Sequence, residues 1–190
     1  MKVLTSLAAA IAMAVSMSAA SAAELKSGPQ VGEEVPAFYV TKVAGNATDG
    51  VDVGKALCYR CKMGARPTVM IFARKADENL ATLVKELDKV VADNTEKKAA
   101  SFVNMLGADA DTQKPAAEKF ITESGAKHIA VVVPNDNENG PTNYNISPDA
   151  EVTVLIYKGL KVSANHTLAK GALNKDAIKK IVADTATILN

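Results

Sequence analysis

The chain alternates between unbroken apolar runs and helically spaced apolar positions. Thr68–Ala73 is a continuous apolar run bounded by Pro67 and Arg74, and Ser101–Leu106 and His128–Val133 are short, mainly apolar segments of similar length. Runs this short, with no polar alternation, predict strands buried on both faces. Between the first two, Leu80, Leu83, Val84, Leu87, Val90 and Val91 recur at helical spacing after Asp77, a predicted N-cap. Thr112–Ser124 reads as a second helix with Ala116, Ala117, Phe120 and Ile121 inward, stopped by Gly125. Val152–Tyr157 and Lys161–His166 flank Lys158-Gly159-Leu160 and predict a hairpin. A last helix starts after Asn174, with Leu173 and Ile178 as a hydrophobic staple and Ile178, Ile181 and Val182 as its buried stripe.

Upstream, Phe38–Val43 reads as an extended segment and residues 46–54 as turn-rich. Glu24–Gln30 is polar and is expected to be mobile, within an N-terminal leader over 24–36. Helix-separated buried strands imply right-handed parallel crossovers, and the late hairpin adds antiparallel strands. The expected fold class is therefore α/β, a mixed central sheet with helices on both faces.

Residues 1–23 have a different pattern. Lys2 precedes an Ala-rich apolar run over Val3–Ala20, and Ala20-Ser21-Ala22-Ala23 offers small residues for cleavage after Ala22 or Ala23. This is the pattern of a secretory signal peptide. A retained anchor is the alternative, but no strong aliphatic stretch or basic stop-transfer flank supports it. The protein is expected to be exported, periplasmic or secreted, with no membrane association after cleavage. Of 22 basic and 21 acidic residues, Lys2 falls in the signal, which leaves 21 of each. With no basic excess to neutralise phosphates, a nucleic-acid partner is not expected. The remaining length suits one domain with a sizeable core.

The candidate chemistry lies in Gly54-Lys-Ala-Leu-Cys58-Tyr-Arg-Cys61-Lys-Met-Gly-Ala-Arg66-Pro67, which holds the two cysteines of the chain. A Cys-x-x-Cys spacing lets both sulfurs meet in one tight turn. From Val53 to Ala76 the charges are Lys55, Arg60, Lys62, Arg66, Arg74 and Lys75, with no acid. Cations favour the thiolate, the reactive form, and Arg60 and Lys62 are the nearest partners. Four readings stay open: a redox-active dithiol, a structural disulfide bracing an exported domain, half of a metal site, or a haem attachment motif with Lys62 in the place of the usual histidine. If redox-active, Cys58 is expected to attack and Cys61 to resolve the mixed disulfide, since the N-terminal thiol usually attacks in similar motifs. The partner would be a thiol/disulfide protein, and no cofactor is expected.

The opening Val31-Gly32-x-x-Val35-Pro36-x-Phe38, the order of elements, and the closing hairpin Val154–Val162 with its terminal helix resemble the thioredoxin-like superfamily, in particular its redoxin/peroxiredoxin-like branch. The resemblance covers roughly Val31–Leu189 and implies a thioredoxin-like three-layer sandwich over 37–190. It also marks two departures. Thioredoxins and redoxins carry the reactive cysteine after the first central strand, at the start of the next helix. Here that place is Arg74-Lys-Ala-Asp-Glu-Asn79, and the Cys-x-x-Cys is displaced to before the strand. The cis-proline that precedes the hairpin strand in thioredoxins falls near Val152, with Pro148 the nearest proline. Peroxidase activity is accordingly not expected.

Other motifs carry less. His128 and His166 sit at strand edges with no neighbouring ligand pattern and read as surface or satisfied polar residues. Asn135–Gly140 opens like a calcium loop, but in that register Ile146 stands where a bidentate Glu belongs, so it reads as a solvated loop. Tyr59 either shields the thiols or packs on the core. Glu33 and Glu34 read as surface.

Overall fold

The computed structural model describes residues 25–190; the expected signal peptide lies outside the described residues. The strands are β1 (Val40–Gly45), β2 (Ala56–Leu57), β3 (Thr68–Ala73), β4 (Ala100–Met105), β5 (Ile129–Pro134), β6 (Ala150–Lys158) and β7 (Lys161–Ala169). The helices are α1 (Tyr59–Met63), α2 (Glu78–Asp93), α3 (Ala110–Ser124), α4 (Lys175–Asp184) and α5 (Ala186–Leu189), with one 3-10 turn over Thr142–Tyr144.

Every residue of β3, β4 and β5 is buried, including the polar Thr68, Ser101 and Asn104, the last of which donates to the Ile71 carbonyl. They form one seven-stranded sheet in the order β2-β1-β5-β4-β3-β6-β7. β3 pairs in parallel with β4 and antiparallel with β6, so Met70 lies between Phe102 and Leu155. The sheet is mixed: β3, β4 and β5 run parallel, and β1, β6 and β7 pair antiparallel.

The caps are those the sequence signals. Asp77 accepts from the Leu80 amide, Asn174 from Asp176 and Ala177, and Gly125 ends α3 in the left-handed conformation. Helix α3 begins two residues earlier than expected, because Asp109 caps it through Thr112. Ala116 points to solvent rather than inward, and Ala117 and Phe120 carry the packing. The extended segment at Phe38 also shifts: pairing starts only at Val40, because Phe38 turns its ring onto Phe72 and Tyr144.

The two faces of the sheet are covered unequally. Alternate strand residues (Ile71, Val103, Val131, Val154) meet Leu83 and Leu87 of α2, Phe120 of α3, Ile181 of α4 and Ile188 of α5. The opposite residues (Met70, Phe72, Phe102, Val132, Leu155) meet Tyr59 and Met63 of α1, Tyr144, Phe38 and Val35. All four later helices thus share one face, and the second layer is the short α1 with extended chain and loops.

The leader is packed, contrary to the mobility expected of it. Ser27 is 1% exposed, and its hydroxyl is 2.7 Å from that of Thr153. Asn165 donates to the carbonyls of Ser27 and Pro29. A side chain at Gly28, whose φ is +74°, would press on Leu155, Thr153 and Ile146. A polar composition signals exposure only when its polar groups lack protein partners, and here β6 and β7 supply them.

Candidate functional site

The cysteine stretch begins on an edge strand. Leu57 of β2 pairs with Val40, and Val40 pairs with Pro134 at the C-terminal end of β5. Cys58 therefore leaves the sheet at the end toward which β3, β4 and β5 point, but β2 lies four strand positions from β3. The chain then crosses the second face as α1 and reaches Pro67 at the opposite, N-terminal end of β3, where Gly159 donates to the Ala65 carbonyl.

The two sulfurs are bonded, with their Cα atoms 5.2 Å apart. The bond leaves neither sulfur free as a metal ligand, and among the described residues no group of three or more His, Cys, Asp or Glu is disposed to hold a metal. Cys58 is the N-cap of α1, and its sulfur accepts the Cys61 amide at 3.1 Å. Cys58 is only 9% exposed, whereas Cys61 lies on the surface.

Tyr59, the residue between them, is fully buried and stacked on Phe102 with ring centroids 5.5 Å apart. Its hydroxyl donates to Asp49 at 2.5 Å. Burial and then the Asp49 bond push the phenol well above its ordinary range, so it stays a proton donor. Asp49 also pairs with Lys42 at 2.9 Å, with side chains 6% and 1% exposed. Lys42 donates further to the carbonyls of Asn46 and Val51. Sequence reading missed this buried chain. Its one available signal was Lys42 on the second face of a strand otherwise apolar there.

The cation cluster disperses. Arg60 turns inward and donates to the Val35 carbonyl at 2.6 Å. Lys55, Lys62 and Arg66 are exposed, in a rim near the disulfide in sequence. Arg74, at the C-terminal end of β3, donates to the carbonyls of Glu138, Ser147 and Ala150 and to the Asn139 side chain. It thereby ties the 135–145 loop to the end of β3, at the start of the Arg74–Asn79 stretch, which holds no cysteine. Lys75 pairs with Asp77. No cis peptide bond occurs among the described residues.

Both histidines have structural partners. His128 donates its amide to Asp88, and its Nδ1 lies 3.3 Å from the same carboxylate. His166 Nε2 lies 3.1 Å from Asp184. Burial lowers the pKa of His166, and the Asp184 carboxylate opposes that shift.

This sheet order, with its crossovers and closing hairpin, defines the thioredoxin-like fold. A Chlorobium tepidum protein named as a thiol:disulfide interchange protein, DsbE, superposes with a TM-score of 0.57 at 14% identity, covering 82% of this chain and 98% of that one. A secreted Mycobacterium tuberculosis disulfide oxidoreductase homologous to DsbE gives 0.54 at 13%, covering 79% and 95%. Mycobacterium tuberculosis AhpC gives 0.59 at 12%, covering 85% and 99%. No protein-family model matches the chain, and no curated protein matches its sequence. The protein is thioredoxin-like in fold, similar to redoxin and thiol:disulfide proteins, and carries a Cys58–Cys61 disulfide.

Proposed function

We propose that this is an exported thiol–disulfide exchange protein whose Cys58–Cys61 pair cycles between disulfide and dithiol with a partner protein. The observation that carries the reading is a disulfide closed across one helical turn with one cysteine, Cys61, on the surface. Exchange needs an exposed sulfur for an incoming thiolate and a second sulfur able to leave as thiolate. The Cys61 amide already points at Cys58 Sγ and would stabilise charge there. The signal-like residues 1–23 support export, and no helix among the described residues is long and apolar enough to cross a membrane. Tyr39, 64% exposed, precedes Val40 as Cys58 follows Leu57, so the antiparallel register sets it beside the disulfide as an aromatic contact for a partner chain.

A second reading has its own observation. The Arg74–Asn79 stretch between β3 and α2 holds no cysteine, Arg74 there is tied to backbone carbonyls, and Tyr59 anchors α1 from below. On that reading the domain is a non-enzymatic binding or structural module, and its disulfide braces the 54–67 crossing.

Oxidised protein mixed with a reduced peptide dithiol is expected to transfer its disulfide, one peptide disulfide formed for each Cys58–Cys61 pair reduced. Cys58→Ser and Cys61→Ser should each abolish the transfer. An oxidised protein that leaves the peptide reduced over hours at neutral pH would support the bracing role and overturn the exchange reading.

A further inference from the structure

We infer that the partner's thiolate attacks Cys61 and that Cys58 is the sulfur that leaves, the reverse of the order expected from the motif. The inference rests on the exchange reading above.

Helix geometry sets the order. At 3.6 residues per turn, successive side chains in α1 are about 100° apart. Tyr59 and Met63 are both buried, and at i and i+4 they define the face of α1 turned to the sheet. Cys61 falls about 180° from the middle of that face, on the outer crest of the helix. Cys58 falls about 120° from it, at the flank, and as N-cap it is held close to the body of the protein. The burial agrees: Cys61 is exposed and Cys58 is 9% exposed.

The roll of α1 is fixed. Turning Cys58 outward would withdraw Tyr59 from its stack on Phe102 and break its bond to Asp49. Asp49 is in turn held by the buried Lys42. Tyr59, Asp49 and Lys42 are positioning residues: they choose which sulfur faces the solvent.

The chemistry fits the same order. A partner thiolate forms a bond to Cys61 Sγ, the Cys58–Cys61 bond breaks, and its electron pair departs on Cys58 Sγ. That sulfur is the one the Cys61 amide faces, so the leaving thiolate gains a donor already in position. A second partner thiolate then attacks the partner's sulfur of the mixed disulfide. The partner disulfide forms and Cys61 departs as thiolate. The two protons given up by the partner's thiols end on Cys58 and Cys61, and the partner is oxidised by two electrons as this protein is reduced by two.

Reduced wild-type protein, pulsed with substoichiometric iodoacetamide and mapped by peptide mass spectrometry, tests this without any variant. Alkylation is irreversible, so the label does not migrate. Label on Cys61 in at least tenfold excess over Cys58 is expected. Equal labelling, or a preference for Cys58, overturns the order of attack. A second measurement uses single thiols: Cys58→Ser should react with oxidised glutathione at least tenfold faster than Cys61→Ser, and the opposite ranking would again overturn the inference. Both readouts are separate from the exchange reading. Failure of disulfide transfer to a peptide dithiol removes the reaction but leaves the ranking of the two thiols measurable, and transfer with Cys58 labelled first removes the ranking alone.

Discussion

Met70→Asp is expected to destabilise the protein by about 4 kcal/mol or more, close to the whole stability of many domains. Met70 is fully buried at the middle of β3, in register with Phe102 on one side and Leu155 on the other. Losing the buried thioether chain has a cost of its own, about 2–5 kcal/mol in large-to-small core series. The carboxylate then adds a buried charge among the apolar side chains of Phe102, Leu155 and Phe72. Met70→Leu, which conserves volume, should cost under about 1.5 kcal/mol. Urea titration separates the two, through a large fall in midpoint for the aspartate and a small one for the leucine. An aspartate variant that melts with wild type would mean that β3 is not the central strand.

The second large effect is expected at a polar site. Asp49→Ala should cost about 3–5 kcal/mol, because it leaves the Lys42 ammonium buried and without its counter-ion. The carbonyls of Asn46 and Val51 still accept from Lys42, which puts the expected loss toward the lower end. The variant also frees the Tyr59 hydroxyl, whereas Tyr59→Phe removes only that hydroxyl and should cost about 1.5–3 kcal/mol, the usual worth of a hydrogen bond to a charged group. The ranking is checked by equilibrium denaturation of both variants. If Asp49→Ala is no worse than Tyr59→Phe, Lys42 reaches solvent or another acceptor, and the ion pair does not anchor the loop beneath α1.

Much of the fold was legible because its core strands are short, mainly apolar segments bounded by breakers and its long helices repeat their apolar positions over several turns. Thr68–Ala73 could be read as a buried strand, and Asp77, Gly125 and Asn174 as helix boundaries, from local chemistry alone. The elements that carry the site were not. β2 has two residues and α1 five, both too short for a period to emerge, and both exist through tertiary partners: Val40 for β2, Phe102 and Asp49 for α1. The cation count around the cysteines was likewise misleading. Charge in sequence does not say where a long side chain ends, and Arg60 and Arg74 end on backbone carbonyls. The one-sided placement of the helices follows from connectivity. β3, β4 and β5 step across the sheet in one direction, so right-handed crossovers put α2 and α3 on the same face.

Whether Cys58 and Cys61 exchange or merely brace the chain shows in their reduction potential. Equilibration with a graded series of thiol redox buffers, quenched by alkylation and read by mass, gives the reduction potential of the pair directly. An exchanging pair is expected within the range of working oxidoreductases, about −270 to −120 mV. A value below about −300 mV, where structural disulfides lie, would contradict exchange.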